Sequence, residues 1–395
     1  MWGRRQIGIY VLISVVVTAL SQCANFNQKQ DLRGPSYAAR TSCVECHKDL
    51  TESFANSSHF HTSAEIRGDD VGLQGHGNTF PFSQDLNVKV EPRAGGLYQV
   101  TYKNGLEVRA EKADIAFGSG EKATTFGYWS ENGLSQLPLT YYREIDSYVN
   151  SPGFPSDHPD YGRAIVSRCL ECHSSFAASK IIQTSSLSVS EEVVKGSILY
   201  GIDCQRCHGP AGKHVTFHQE NPKETEARFI TRIGGLSRQQ KVDMCAVCHS
   251  GNDKLTQRST FSFTPGDTLS KFYYPQYSRS TKEPDVHGNQ YQMLASSSCF
   301  INSDMDCSSC HSPHVNEKKN PVLFSQRCQS CHSVQNHSEI GVSSAVLEKN
   351  CIDCHMPLKP SKLITFQEAG KSAKMPYMLR SHKIAIYPGT VPKSK

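Results

Sequence analysis

The sequence predicts a mainly α-helical and irregular fold with a small antiparallel β-rich insertion, and three observations lead to this prediction. In the C-terminal half, one short cysteine motif recurs at intervals of 35, 41, 62, 21 and 23 residues, and motifs of this kind often begin a short helix. Before it, 126 residues separate Cys43 from Cys169, and part of this gap alternates like strands. Only 37% of the 395 residues are hydrophobic, so something besides side chains is expected to fill the interior.

The expected insertion lies in residues 43–165 and the helical part in residues 166–395. LYQVTY and LEVRA flank Asn104-Gly105, and Asn-Gly between such runs is a strong hairpin signal. A second hairpin is expected to turn at Asn132-Gly133. In the C-terminal part, Val189 to Gly201 has helical periodicity and ends at a glycine, which predicts a helix.

The charge and the cysteine content indicate the compartment and exclude one class of partner. The chain has 42 basic and 37 acidic residues, for a formal net charge of +5, and no basic block stands out. Nucleic acid is therefore a poor candidate for a partner. Sixteen cysteines in a chain of this size favour an oxidising compartment outside the cytosol.

Residues 1–22 have the pattern of a signal peptide. A basic start, MWGRRQ, precedes an apolar run from Ile7 to Leu20 that is short for a membrane span. Cys23 follows Leu-Ser-Gln and resembles the lipidated cysteine of a bacterial lipobox, which predicts a lipid anchor at Cys23 and a flexible tether over residues 23–42. The predicted location is the periplasm, tethered to the outer membrane. The alternatives are a plain signal peptide with an incidental cysteine and an uncleaved anchor.

Fourteen of the cysteines belong to seven copies of the motif Cys-x-x-Cys-His. Chance would give about 0.03 copies in a chain of this composition. In each copy, the two cysteines can form thioethers to the vinyl groups of one haem, and the histidine can bind the iron as its proximal ligand. Zinc ribbons and disulfide scaffolds also pair cysteines, but neither needs a histidine after every pair. The sequence therefore predicts a haem-packed chain with seven covalently bound haem c groups, attached at Cys43, Cys46, Cys169, Cys172, Cys204, Cys207, Cys245, Cys248, Cys307, Cys310, Cys328, Cys331, Cys351 and Cys354.

The histidines provide the predicted iron ligands. We number the haem sites 1 to 7 in chain order, and their proximal ligands are His47, His173, His208, His249, His311, His332 and His355. Within CSSCHSPH, His314 lies too close to His311 to reach the opposite face of the same haem, so it is expected to bind a neighbouring haem. Ten histidines remain for seven distal positions, enough for two histidines at every iron. The predicted distal ligands are His59, His214, His287, His314, His337 and His382, and the seventh is one of His61, His76, His158 and His218. Axial sulfur from Met356, Met375 or Met378 is the alternative.

Several of these motifs resemble those of the bacterial multihaem c-type cytochromes. CQRCHGPAGKHV (Cys204 to Val215), CSSCHSPH, and CIDCHMP followed by Ser381-His382-Lys383 are similar to segments of the nitrifier tetrahaem cytochrome, hydroxylamine oxidoreductase and pentahaem nitrite reductase. The segment from Ile115 to Phe154 resembles one found before the second haem in periplasmic multihaem proteins. The resemblance implies distal roles for His214, His314 and His382. The chain departs from the enzymes of that group in lacking Cys-x-x-Cys-Lys and in its number of haems.

Two functions follow from these features. The first is electron transfer through a chain of closely packed, mostly bis-histidine haems in the cell envelope, with redox proteins of a respiratory chain as partners. The alternative is an oxidoreductase that converts a small nitrogen or sulfur compound at one haem with an open distal face. The histidine surplus favours the carrier over the enzyme, and no catalytic residue is predicted. Cys299 lies outside the motifs and is expected to be a buried free thiol.

Overall fold

The computed structural model describes residues 30–68, 77–131, 133–251, 254–274, 284–337 and 342–390. The predicted signal peptide, Cys23, most of the tether and His76 lie outside the described residues. The chain divides into two compact units, one of residues 1–48 and 210–230 and the other of residues 49–209 and 231–395. Among the described residues, no helix is both long enough and apolar enough to cross a bilayer.

The α-helices are short, and several consist of a single turn. In the described residues they are α1 Lys48–Ala55, α2 Ser167–His173, α3 Cys204–His208, α4 Gly212–Glu220, α5 Arg238–His249, α6 Gln290–Ala295, α7 Ser298–Ile301, α8 Pro321–Gln329, α9 Ser344–Lys349 and α10 Cys351–His355. Helices of the 3₁₀ type occur at Arg40–Glu45, Arg143–Ile145, Ile233–Gly235, Thr260–Ser262, Leu269–Lys271, Cys307–Ser309, Val334–His337 and Pro388–Thr390.

The strands are as extensive as the helices, so the prediction of a mainly α-helical fold is wrong. Helix accounts for 29% and strand for 27% of the structure. The described strands are β1 Ser63–Glu65, β2 Thr79–Pro81, β3 Leu86–Arg93, β4 Gly96–Lys103, β5 Leu106–Lys112, β6 Ile115–Phe117, β7 Ala123–Ser130, β8 Gly133–Gln136, β9 Leu139–Tyr142, β10 Ser147–Asn150, β11 Ser174–Phe176, β12 Ser179–Ser185, β13 Ser188–Val193, β14 Leu199–Tyr200, β15 Leu358–Gln367 and β16 Lys374–Arg380. The cysteine motifs need only about one helical turn each, and much of the chain between them pairs as antiparallel strands.

The first hairpin prediction is confirmed. Strands β3, β4 and β5 lie in a four-stranded sheet of order β2-β3-β4-β5, and β4 turns into β5 at Asn104 and Gly105. Both turn residues have positive φ, 51° and 77°, as a type I′ hairpin turn requires. Along β3, Val88 and Val90 are buried while their neighbours are more exposed, which is the period of two expected for a sheet with one face on the core.

A larger sheet joins the two ends of the second unit. It follows the order β1-β6-β7-β9-β10-β15-β16, and β8 pairs with β7 off this path. The β7–β8 hairpin confirms the second hairpin prediction, with Ser130 opposite Gly133. The C-terminal hairpin β15–β16 extends the sheet through the pair Asn150–Gln367. A core that includes Phe126, Leu139 and Tyr148 lies beside this sheet.

The segment from Val189 to Gly201 forms strands rather than the predicted helix. It pairs β13 with β12 and places β14 against β11. The segment contains three valines, Ile198 and Tyr200, and such β-branched and aromatic residues favour strands once a partner strand lies alongside. Tertiary pairing therefore overrides the weak helical period here.

Candidate haem-binding sites

The cysteine motifs form single helical turns. The motif residues end α2, α3, α5 and α10, occupy the 3₁₀ turn at Cys307–Ser309, and overlap the 3₁₀ turn at Arg40–Glu45 and the end of α8. Cysteines three apart on a turn lie on the same side of it, as attachment to one haem requires. Side chains just before the motifs hold some of these turns: Asp203 accepts a hydrogen bond from Arg206 N–H, and Asn350 accepts one from Asp353 N–H.

The structure brings five of the six predicted distal histidines against the ring of a proximal histidine. The distances between ring centres are 6.5 Å for His47–His214, 6.0 Å for His208–His314, 6.2 Å for His59–His249, 6.2 Å for His311–His382 and 5.8 Å for His337–His355. Two imidazoles that bind one metal ion from opposite sides through nitrogen, at about 2 Å each, have ring centres about 6 Å apart. The side chains present therefore fit an iron with two histidine ligands at sites 1, 3, 4, 5 and 7.

The connector CSSCHSPH serves two different sites. The His314 ring stacks on His208 of site 3 at an interplanar angle of 9°, whereas the His311 ring faces His382 at 30°. The carbonyl of His314 accepts a hydrogen bond of 2.9 Å from the Ser53 hydroxyl, which fixes this end of the connector to α1. The two histidines of the motif thus link sites 3 and 5 through three residues of chain.

Backbone carbonyls orient several of the rings. The Nδ1 atoms of His214, His337 and His382 lie 2.7, 3.3 and 3.3 Å from the carbonyl oxygens of Arg228, Val334 and Arg380. The Nδ1 atoms of the proximal His173 and His355 lie 3.4 and 3.0 Å from the carbonyls of Thr62 and Ala385. A carbonyl partner makes Nδ1 the protonated nitrogen, so Nε2 carries the lone pair that a metal needs.

Burial keeps the rings neutral. It lowers the pKa of His249 and of His382 to about 4, and it also lowers the pKa of His59, His173 and His311. Neutral imidazole is the form that binds iron. These rings are therefore in the ligating form at pH 7 before any metal is bound.

The sixth predicted distal ligand, His287, lies near site 2. Burial lowers the pKa of His287, Asp285 opposes that effect, and His173 of site 2 lowers it further through its charge. The Asp285 carboxylate accepts hydrogen bonds from the backbone N–H of His287 at 2.9 Å and from the Ser361 hydroxyl at 2.7 Å. The loop that carries His287 is thereby anchored to β15.

The remaining histidines occupy other surroundings. His61 is exposed beside Phe60, with ring centres 5.2 Å apart, and the Nδ1 of His158 lies 2.8 Å from Asp157 in an exposed pair. His218 packs on His214 at 4.6 Å and its Nδ1 lies 3.2 Å from the carbonyl of Glu224. In the part of the chain that the structure describes, no histidine ring is found stacked on His332 of site 6.

The alternative axial sulfurs lie at the edge of the C-terminal hairpin. Met375 and Met378 are in β16, where Met375 is 42% exposed, and Met356 directly follows α10. Cys299 is half-buried rather than buried, because α7, which carries it, is a short helix at the surface. Cys299 contributes to raising the pKa of the Cys310 and Cys328 thiols, so it lies near the attachment points of sites 5 and 6.

Cysteines of different motifs touch one another. The sulfur of Cys172 is in hydrogen-bonding contact with Cys248, Cys245 with Cys307, and Cys328 with Cys351. These contacts join site 2 to site 4, site 4 to site 5, and site 6 to site 7. Electrostatic interactions also join Cys310 to Cys328, and Cys207 to Cys245 and Cys248, which link site 5 to 6 and site 3 to 4.

Two charged residues inside the motifs were missed in the sequence. Glu171 in CLECH is 2% exposed and accepts a hydrogen bond of 3.0 Å from Thr260 N–H. Arg206 in CQRCH is 8% exposed and donates to the carbonyls of Thr260 at 2.7 Å and of Glu171 at 3.2 Å. The pair ties the motifs of sites 2 and 3 to one loop. The feature of the sequence that could have drawn attention to them is a charged residue between the two cysteines of a haem motif.

Comparisons with known proteins agree with this chemistry. A 168-residue segment, 41% of this chain, is 26% identical to the multiheme cytochrome MtrA of Shewanella baltica (strain OS185), and the match spans only 37% of that relative's length. The fold is similar to that of the crystal structure of the outer cell wall cytochrome OcwA, with a TM-score of 0.51 and 14% identity over 88% of this chain and 79% of that one. No protein-family model matches the chain. The motifs and these likenesses together support a multihaem c-type cytochrome with covalently bound haem.

Proposed function

We propose that this chain is a heptahaem c-type cytochrome that transfers electrons along closely packed haems, most of which have two histidine ligands. The observation that carries the proposal is the set of five histidine pairs with ring centres 5.8 to 6.5 Å apart, each combining a motif histidine with a distant one. When bound, haem supplies iron that cycles between the ferric and ferrous states. With histidine on both sides, the ligands are the same in both states.

The residues of the chain determine the path. The cysteines of different motifs that contact or interact with one another would place the attachment points in the order 2–4–5–6–7, with site 3 beside site 4. The His47–His214 pair of site 1 lies within the unit of residues 1–48 and 210–230. We propose residues 166–395 as the module that attaches six haems, with residues 43–165 carrying the first haem and most of the β-rich scaffold.

We propose further that the protein works outside the cytosol. A chain with sixteen cysteines favours a compartment outside the cytosol, and both similar proteins are named as cytochromes, one of the outer cell wall. The N-terminal pattern adds a signal peptide and a lipid anchor at Cys23, with redox proteins of the cell envelope as partners. The resemblance to the nitrifier tetrahaem cytochrome and its relatives belongs to the same proposal.

Mass spectrometry and low-temperature EPR test the proposal. The intact holo-protein is expected to carry seven haems, and the sites with two histidines are expected to give low-spin ferric signals. Each of the substitutions His59→Gln, His214→Gln, His287→Gln, His314→Gln, His337→Gln and His382→Gln should add one high-spin haem without changing the haem load. His158→Gln, at an exposed ion pair, is the matched control and should add none. Distal substitutions that leave the spectrum unchanged would contradict the proposed ligand pairs.

The second candidate function is an oxidoreductase that acts on a small compound at one haem. The observation that favours it is the environment of His332: in the described residues no histidine ring contacts it, whereas His208, His249, His311 and His355 each have a predicted distal histidine with its ring centre 5.8 to 6.2 Å away.

A further inference from the structure

We propose that the haem attached at Cys328 and Cys331 keeps one axial position for a small exchangeable ligand. The inference rests on the proposed function, since it assumes that the other six sites use the histidine pairs described above. It assigns a binding site to one haem in the chain, and the ligand class is a compact molecule with a single donor atom, such as carbon monoxide or imidazole.

The allocation of histidines leads to site 6. The six predicted distal histidines all lie at other sites: five have ring centres 5.8 to 6.5 Å from that of a motif histidine, and His287 interacts electrostatically with His173. Three more histidines contact other side chains: His61 lies beside Phe60, His158 beside Asp157 and His218 beside His214. Nine of the ten histidines outside the motifs therefore have a location in the described residues, and none of these locations is at His332.

The local chain explains why site 6 differs. Helix α8 ends at Gln329, and a 3₁₀ turn at Val334–His337 follows the motif after only one residue. That turn directs His337 toward His355, with ring centres 5.8 Å apart, and the His337 Nδ1 lies 3.3 Å from the Val334 carbonyl. The histidine nearest to His332 in sequence is thus used by site 7. Site 5 has the same arrangement, because His314 faces His208 of site 3. At site 5, however, His382, two residues beyond the end of β16, faces His311.

Site 6 is also accessible and connected. Both Cys331 and His332 are exposed, so a small molecule can approach this motif from solvent; exposure alone does not set site 6 apart, because His249 and His311 are exposed as well. Cys328 contacts Cys351 of site 7 and interacts with Cys310 of site 5, so site 6 lies between two sites of the proposed electron path. A ligand that binds at site 6 would therefore bind to a haem that can receive electrons from site 5 or from site 7.

Ligand binding gives a test that does not depend on turnover. The oxidised wild-type holo-protein is expected to show one high-spin haem among seven by EPR, and the dithionite-reduced protein should bind one equivalent of carbon monoxide per chain. Imidazole added to the oxidised protein should convert that one haem to low spin. A wild-type protein with seven low-spin haems and no carbon monoxide binding would overturn the proposal.

Substitutions identify the site by elimination. Each of the six distal substitutions should raise the carbon monoxide stoichiometry from one to two, because each opens one further haem. If one of these substitutions leaves the carbon monoxide stoichiometry at one, the haem assigned to the substituted histidine was already the open haem, and the assignment to site 6 is overturned. His61→Gln, His76→Gln, His158→Gln, His218→Gln and Cys299→Ser should leave the stoichiometry at one; a rise in any of them would identify that residue as a ligand and overturn the scheme for site 6.

The two proposals fail in different ways. If the distal substitutions add no open haems, the histidine pairs are wrong and the proposed function fails with them. If those substitutions each add one open haem but the wild type starts from none, the electron-transfer proposal stands and the exchangeable site alone is overturned.

Discussion

The substitution Glu317→Gln is expected to destabilise the connector between sites 3 and 5 at neutral pH and much less in acid. Glu317 accepts hydrogen bonds from the Arg327 guanidinium at 2.8 Å and from Ser312 N–H at 2.9 Å, and Arg327 also donates to the Cys310 carbonyl at 2.6 Å. The Arg327 hydrogen bond lowers the pKa of Glu317 from 4.5 to about 2. The pair therefore holds the motif of site 5 to α8.

The magnitude and its pH dependence follow from that shift. The full change in pKa corresponds to about 3 kcal/mol, and partial solvent screening of the pair reduces it to about 1–2 kcal/mol. Since the folded-state pKa lies below the unfolded one, this stabilisation is present above pH 4.5 and is lost as the pH falls toward 2. The glutamine variant lacks it at every pH.

Denaturant unfolding of the holo-protein measures the effect. The free energy of unfolding of the variant should lie about 1–2 kcal/mol below wild type at pH 7, and the difference should shrink between pH 4.5 and pH 3. The matched control is Glu65→Gln, which removes an exposed ion pair in which the Glu65 carboxylate lies 3.6 Å from the Arg67 guanidinium. This substitution should lower the free energy of unfolding by less than about 0.5 kcal/mol. A wild-type–variant difference that stays constant from pH 7 to pH 3 would refute the reasoning.

Three further predictions concern the scaffold and the sites. Gly105→Ala should lower the free energy of unfolding by about 1 kcal/mol in thermal unfolding, because Gly105 has φ +77° with open space around it; Gly234→Ala, also in open space without a positive φ, is the control and should be near neutral. Arg206→Ala should cost about 2–4 kcal/mol in denaturant unfolding, since it leaves the Thr260 carbonyl buried without its partner; an unchanged midpoint would contradict this. His314→Gln should add one high-spin haem to the EPR spectrum at constant haem load, and a fall in haem load instead would mean that His314 is needed for attachment.

The parts of the fold that the sequence predicted are those whose signal is local. Asn104 and Gly105 specify a tight turn by their own backbone preferences, so the β4–β5 hairpin could be located from four or five neighbouring residues. The large sheet has no such signal, because Asn150 and Gln367 meet across more than half of the chain. The failure at Val189 to Gly201 has the same cause, since the partner strand β12 decided the conformation there.

The same distinction applies to the sites. The cysteines and proximal histidines form one continuous motif, so the predicted attachment residues follow directly from the sequence, residue by residue. A count of the histidines gave six distal candidates, but their partners are distant in sequence, as with His208 and His314. The contacts of Glu171 and Arg206 could not be predicted, even though both residues lie between haem cysteines, because the loop at Thr260 that they bind has no motif of its own.

The strands also explain how distal ligands reach their sites. Where two sites are to be held close, the chain places the second histidine within a few residues of the first, as in His311–His314 and His332–His337. In such a short link, the histidine that follows the motif faces the proximal histidine of a different site. The haem of the motif itself would then need its second ligand from another part of the chain. At site 5 the hairpin β15–β16 delivers it: β15 begins at Leu358 just after the motif of site 7, Leu358 pairs with Arg380, and His382 follows two residues later to face His311.

Under the proposed ligation, this arrangement gives the antiparallel sheet a direct role in holding a haem. The hairpin leaves one haem motif and returns beside it, where His355 and Ala385 are joined by a backbone hydrogen bond of 3.2 Å, and just beyond its end lies the proposed ligand of another haem. Because side chains alternate along a strand, a shift of register by one residue would turn the end of β16 over and displace His382. The ladder of hydrogen bonds between β15 and β16 therefore fixes the position of the proposed ligand His382, and the strand content that the cysteine spacing did not predict belongs to the proposed haem-binding arrangement.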